Sequence, residues 1–275
     1  MKTLEHQTLL YDEDCPLCQV YTSAFIKIGM LDNNGRKTFN HTSTDAHKFI
    51  DLNRASNEIA LIDTQNNTVI YGIDSLLKII GYRFPLVQYI GQLKPIKFLL
   101  KKLYSFISFN RKVIMPSASS LNPDSQCVPS FNTPYRIAYI IITVLTTMFT
   151  LDAFSKNLSA VSHSSLIREG SIAIGQLLFQ SIIMIQLNTK IILNYLGNLM
   201  TVSLIGSLLL MPLLALNQIF NISETLNLCW FGITVLILFL EHFRRVKLLA
   251  LPTYLSYTWV LYRLLILAIL LIINL

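Results

Sequence analysis

Beyond Tyr135 the chain runs in charge-free stretches: 137–151, 170–189, 191–223, 225–240, 248–262 and 264–275 contain no Asp, Glu, Lys or Arg. Segments this apolar, at or near the roughly 20 residues that cross a hydrocarbon core, constrain the chain to α-helices, because backbone groups in lipid must satisfy one another within the segment. The charges are correspondingly uneven. Of 22 basic and 15 acidic residues, 25 fall in residues 1–134 and 12 in 135–275. Overall the chain is 13% charged, well below the roughly 25% of a soluble domain. The two parts therefore face different solvents. We expect a water-soluble domain over residues 1–112, a linker over 113–133, where Ser and Pro cluster between Met115 and Thr133, and a helical transmembrane domain over 134–275. About five helices are expected, near 134–153, 169–188, 195–219, 225–241 and 256–274, with the first and fourth short and Pro212 kinking the third.

Charge also suggests an orientation. Residues 93–112 hold six basic side chains (Lys94, Lys97, Lys101, Lys102, Arg111, Lys112) and no acid, whereas residues 1–92 are net acidic. Such a cluster next to an apolar span suits an anionic lipid surface better than nucleic acid. Lys94, Lys97 and Lys101 are spaced to share one helix face, with Ile96, Leu99, Leu100 and Leu103 on another, as on a helix lying on a membrane or packed on its own domain. Arg136, Lys190, Arg244, Arg245 and Lys247 fall on the same side as this cluster, against Lys156 and Arg168 opposite. The positive-inside rule then places the N-terminal domain in the cytoplasm and Leu275 outside. Met1 to Leu10 lacks the apolar core of a secretory signal, so this domain is expected to stay where it is made.

The soluble part reads as a small mixed α/β domain. Thr8 to Tyr11 is a short strand, and the apolar-periodic stretch from Cys15 to Met30 a helix. Phe39 ends a second strand, and residues 44–53 have helix character with Ser43 or Thr44 as cap. Glu58 to Ile62 and Thr68 to Tyr71 flank the turn-rich Asp63 to Asn67 as a hairpin. Gly72 breaks the strand, a helix follows over 73–80, and helical segments continue through 85–109.

The chemistry concentrates at Cys15-Pro16-Leu17-Cys18, where a strand hands over to a helix. Two cysteines at this spacing can close a small disulfide ring and reopen it. A thiol at a helix N-terminus meets unpaired N–H groups and the positive dipole end, which favour thiolate. Cys15 is therefore the expected nucleophile, Cys18 the resolving thiol, and Asp12 the carboxylate that accepts the proton of Cys18. Asp12, Glu13 and Asp14 act against the thiolate by charge. Two alternatives remain open. His41 and His47 complete a C-x2-C-x22-H-x5-H pattern that zinc could occupy, although the central spacer exceeds that of a zinc finger. The pair could also be structural.

Tyr11-Asp12-Glu13-Asp14-Cys15-Pro16-Leu17-Cys18 resembles the Tyr-Asp-Gly-x-Cys-x-x-Cys opening of the DCC family of thiol-disulfide oxidoreductases. Gly72-Ile73-Asp74-Ser75 is similar to that family's later Gly-x-x-Ala segment, and Tyr104 with Asn110-Arg111 to its closing Tyr and Asn-Arg. The likeness covers residues 7–112. It implies a thioredoxin-like fold and protein-disulfide reductase activity on disulfide-containing proteins or small thiols, with Asp12, Cys15 and Cys18 at matching positions and neither cofactor nor metal. Glu13 stands where the family has Gly, and no Pro precedes Glu58, where thioredoxin carries the Pro that faces its dithiol.

The remaining candidates are weaker. Cys127 lies in the linker, as an inert thiol or a third redox thiol, and Cys229 beside Trp230 reads as a packing residue. With Cys229 alone in the membrane part, an intramolecular dithiol relay across the bilayer is excluded. Gln176, Gln180 and Gln186 form a polar stripe that suits helix–helix adhesion or a transport path. Glu241-His242 beside Arg244-Arg245 reads as an interfacial flank, and His163 as a loop residue. The function expected is a membrane-anchored dithiol oxidoreductase. The alternative is a small transporter or lipid-interacting protein whose thioredoxin-like domain senses redox state or docks. Oligomeric state is not legible.

Overall fold

A computed structural model describes residues 3–39, 50–117, 130–158 and 164–273. The chain divides into two compact units, Met1–Asn132 and Thr133–Leu275.

The first unit is built on a four-stranded sheet in the order β2-β1-β3-β4, from β1 (Gln7–Tyr11), β2 (Arg36–Thr38), β3 (Ala60–Asp63) and β4 (Thr68–Tyr71). β1 pairs parallel with β2 and antiparallel with β3, placing Leu9 opposite Leu61 and Leu10 opposite Ala60. Leu9 and Leu10 are both buried because side chains alternate across a sheet covered on both faces. Leu9 and Leu61 join Phe25, Ile59 and Ile79 in one core cluster, while Leu10 and Ala60 join Ile50 and Ala55 in another. This is the mixed α/β sheet expected of a thioredoxin-like domain.

The helices and strands around the hairpin follow the order its sequence suggested, with shifted ends. α1 (Pro16–Lys27) follows β1, and α2 (Leu52–Asn57) is capped by Asp51, whose Oδ1 accepts the Arg54 N–H at 3.0 Å. Residues 44–49 of the helix expected over 44–53 lie outside the described residues, as do His41 and His47; α2 begins at Leu52. β3 and β4 are joined by a turn in which Asp63 Oδ1 accepts the N–H groups of Gln65 and Asn66. α3 (Ile73–Arg83), α4 (Pro85–Gln92) and α5 (Lys94–Ile114) complete the unit. Gly72 takes φ +64°, the left-handed region that glycine enters at no steric cost, and a Cβ there would sit 2.8 Å from Glu58 Oε2. Three residues on, Ser75 Oγ donates to the Ile70 carbonyl at 2.6 Å, closing the turn into α3.

α5 differs from its sequence reading. Lys97 and Lys101 turn to Asp74 of α3, at 2.7 and 3.8 Å, while Phe98, Leu99 and Leu103 are exposed. An acid on a neighbouring helix, invisible to spacing along α5 itself, fixes which face packs inward.

The second unit consists of five helices among the described residues: α6 (Thr133–Ser155), α7 (Leu166–Ile183), α8 (Thr189–Asn217), α9 (Glu224–Leu248) and α10 (Tyr254–Ile273). Three of these, α6, α8 and α9, are long and apolar enough to cross a membrane. The two spans read as short from sequence, α6 and α9, are thus among the three. α9 runs about two turns past its expected end, and along that extension Arg244 Nε and Arg245 Nε each lie 2.7 Å from the Glu241 carboxylate, i,i+3 and i,i+4 pairs that support the added turns.

That extension corrects the reading of Glu241-His242 as a flank. His242 and Arg245 are buried. His242 hydrogen-bonds Tyr195 Oη and Ser256 Oγ, each at 3.1 Å, and stacks on Trp259 at 5.3 Å. Arg245 Nη1 donates to Asn198 Oδ1 at 2.9 Å. The network ties α8, α9 and α10 together, as interhelical polar pairs do where lipid offers no competing partner. Gln180 acts likewise, donating to Thr258 Oγ1 at 3.2 Å. Cys229 is exposed, so the packing role expected for it is overturned; the helical period of α9 turns it outward.

Candidate active site

The loop after β1 folds on itself before α1 starts. Asp12 Oδ1 accepts the Asp14 N–H at 3.0 Å and its carbonyl accepts the Cys15 N–H at 3.2 Å. An Asp in this position supplies its own turn, which is why Asp12 ends the strand. Pro16 then occupies the first helical position, where its missing N–H costs nothing.

Cys15 is the N-cap of α1, with extended backbone (φ −101°, ψ 106°), and its Sγ accepts the Cys18 N–H at 3.4 Å. Sulfur thus takes the role that an Asp or Ser oxygen usually fills. Cys15 and Cys18 are both free thiols, one fully enclosed and the other 7% exposed. Hydrogen bonding from the Cys18 side chain outweighs burial and, with the Cys18 N–H and the Arg111 charge, lowers the Cys15 thiol from 9.0 to about 6. The same bond, reinforced by burial, raises Cys18 far above the ordinary range. The two sulfurs are therefore divided into a thiolate and a thiol that donates to it.

Asp12, 4% exposed, is balanced from the far end of the domain. Arg111 Nη2 lies 3.5 Å and Lys112 Nζ 3.4 Å from its Oδ2. Arg111 also donates to the Ser56 carbonyl at 3.0 Å and to Ser108 Oγ at 3.2 Å, so its guanidinium pins the last turns of α5 to α2 and to the Asp12 loop. Tyr104 Oη accepts the Ile59 N–H at 2.8 Å, and burial raises its phenol. The closing Tyr and Arg of the sequence likeness are thereby placed: one holds the start of β3, the other the carboxylate beside the dithiol. Beyond α5, Ser117 Oγ donates to the Asp14 carbonyl, holding the chain against the same loop.

A cavity of about 260 Å³ opens beside these groups. Asp12, Cys18, Tyr21, Ile59, Tyr104 and Arg111 line it, and its surface is mostly apolar. Cys15 does not. Asp12, Cys15 and Cys18, the three residues singled out from sequence, thus lie in one loop-and-helix start, and Asp12 and Cys18 share a cavity wall. Arg111 and Lys112, which complete the site, were read only as family marks or lipid-facing basic residues; no local signal links them to Asp12, roughly 100 positions earlier. Among the described residues no group of three or more His, Cys, Asp or Glu is placed to hold a metal. His41 and His47, the partners the zinc alternative needs, lie outside the described residues, as does Cys127.

Residues 9–116 match the DCC1-like thiol-disulfide oxidoreductase family. No curated protein and no solved structure matches the chain. Residues 9–116 therefore form a DCC1-like thiol-disulfide oxidoreductase domain, followed, among the described residues, by three helices long and apolar enough to cross a membrane.

Proposed function

We propose that this domain performs thiol-disulfide exchange with Cys15 as nucleophile and Cys18 as resolving thiol, at a membrane surface to which the C-terminal helices anchor it. The observation that carries this reading is the Cys15 sulfur at the head of α1, accepting the Cys18 N–H and titrating at about 6. A thiol of that kind is mostly thiolate at neutral pH and ready to attack. The thiolate attacks one sulfur of a partner disulfide, forming a mixed disulfide and expelling the other sulfur as thiolate. Cys18 then loses its proton and attacks Cys15, forming the 15–18 disulfide and releasing the second partner sulfur. Two electrons pass from the dithiol to the partner, and a thiol reductant restores the pair.

Cys18 is a poor acid in the resting state, so its proton needs an acceptor once Cys15 is engaged. We assign that role to Asp12, the carboxylate on the same cavity wall. Arg111 and Lys112 position it. Because Cys15 is enclosed, attack also requires the Asp12–Cys15 loop to open, and the Ser117 contact to Asp14 is the tether that has to release. Partners on this reading are disulfide-bearing proteins or small thiols, and the excess of basic residues on its side of the apolar segments supports a cytoplasmic domain.

The full chain in detergent, supplied with a thiol reductant, should reduce insulin disulfides. Cys15→Ser should abolish turnover, while Cys18→Ser should accumulate a mixed disulfide on Cys15. Equal rates for wild type and Cys15→Ser would remove the reading.

A further inference from the structure

In the helical unit a second cavity, of about 370 Å³, opens between α6, α7, α8, α9 and α10. Most of its wall is Leu, Ile, Phe and Val, as an alkyl chain requires. Three charged side chains interrupt that wall: Arg168, Glu169 and Arg263. Arg168 Nη2 lies 2.8 Å from Glu169 Oε1, which also accepts from Ser164 Oγ at 3.0 Å, so that pair is already satisfied. Arg263 is not. It sits midway along α10, forms no ion pair among the described residues, and stands 5.5 Å from the Trp259 ring centroid. Its Nε is buried without a hydrogen-bond partner. Trp259, also on the wall and 4% exposed, has a buried Nε1–H in the same condition.

Two buried donors without acceptors, one of them cationic, are costly in an apolar setting. Both donors ask for an acceptor, and the wall's charges (two positive, one negative) leave one positive charge to be matched. The volume lies at the small end of the roughly 300–1,000 Å³ typical of ligand sites, room for one alkyl chain and not for the paired chains of a phospholipid. We propose that this cavity binds a single-chain amphiphile with an anionic carboxylate head, a fatty acid, whose head is held by Arg263 and Trp259. The planar guanidinium matches a carboxylate in two-point contact. This site is separate from the dithiol and goes beyond the exchange reading.

The test uses the full chain in phosphatidylcholine nanodiscs, with 11-(dansylamino)undecanoic acid as fluorescent probe and its methyl ester as the uncharged control. Saturable binding of the acid is expected, with the ester at least about tenfold weaker, the effect of losing one charge-assisted hydrogen bond. Arg263→Gln should weaken the acid by a similar factor. If that variant fails to fold, Leu267→Trp, which fills the cavity and keeps the arginine, should abolish acid binding. Acid and ester binding equally, non-saturable partition, or a Leu267→Trp variant that binds like wild type would each overturn the proposal. Oleate should displace the probe. Displacement by phosphatidylglycerol in the disc, and not by oleate, would overturn the single-chain assignment in favour of an anionic phospholipid. Repeating the titration on a Cys15→Ser/Cys18→Ser protein should leave it unchanged, which keeps this result independent of the exchange chemistry.

Discussion

Replacing Cys18 by alanine removes the side-chain hydrogen bond that is the largest cause of the low Cys15 titration, while the Cys18 N–H remains. A fall from 9.0 to about 6 corresponds to about 4 kcal/mol favouring the thiolate when fully expressed. At pH 7 a thiol titrating at about 6 is about nine-tenths thiolate, against about one part in a hundred at 9.0. Only part of the free energy is therefore realised there, between about 1 and 2 kcal/mol, which stabilises the reduced form and makes the couple about 30 mV more oxidising than an unperturbed one. The sign follows from the lowered value: the folded-state titration lies below the unfolded one, so this stabilisation is complete above about 9 and is lost as pH falls through about 6. Absorbance near 240 nm, titrated on the reduced full chain, reads thiolate without requiring access to the enclosed sulfur. Wild type should show a midpoint near 6, and Cys18→Ala a midpoint well above it, closer to the ordinary thiol value. A wild-type midpoint above 8, or one unmoved by Cys18→Ala, would refute the argument that Cys18 sets the nucleophile.

Three further outcomes follow from the residues around the dithiol. Arg111→Met leaves Asp12 enclosed with Lys112 alone and should destabilise the first unit by on the order of 3 kcal/mol in chemical denaturation, with Arg111→Lys failing to restore it because one ammonium cannot reach Asp12, Ser108 and Ser56 together. Tyr104→Phe strips the acceptor from the buried Ile59 N–H and should cost about 1–3 kcal/mol by the same measurement, without moving the thiolate midpoint by more than a few tenths. Gly72→Ala forces a Cβ into a left-handed position 2.8 Å from Glu58 Oε2 and should cost more than about 1 kcal/mol; a neutral effect would show that the turn into α3 can rearrange.

Much of this molecule was readable in one dimension. The hairpin between β3 and β4 was legible because Asp63 to Asn67 carry their own turn chemistry, and the five apolar segments because a helix in lipid satisfies its backbone locally. The dithiol was legible for the same reason, since Pro16 and the Cys15 cap act within four residues. Reading went wrong where a partner lay elsewhere in the chain. Lys97 and Lys101 suggested a free basic face until Asp74 of α3 claimed them. Glu241, His242 and Arg245 suggested a flank until Asn198, Tyr195 and Ser256 drew two of them into the interior. Cys229 suggested packing until the phase of α9 turned it outward.

By itself, then, the sequence determined the division into a soluble α/β part and an apolar helical part, and the position of a dithiol at a helix start, because hydrophobic period, turn residues and caps all act over a few positions. Only the tertiary structure decided which cations balance Asp12, that Cys15 is enclosed, and that Arg263 lines an apolar cavity with its Nε buried and unpartnered. Those properties depend on distances between residues far apart in the chain, and electrostatic and desolvation energies are set by such distances and by exclusion of water, neither of which residue spacing records.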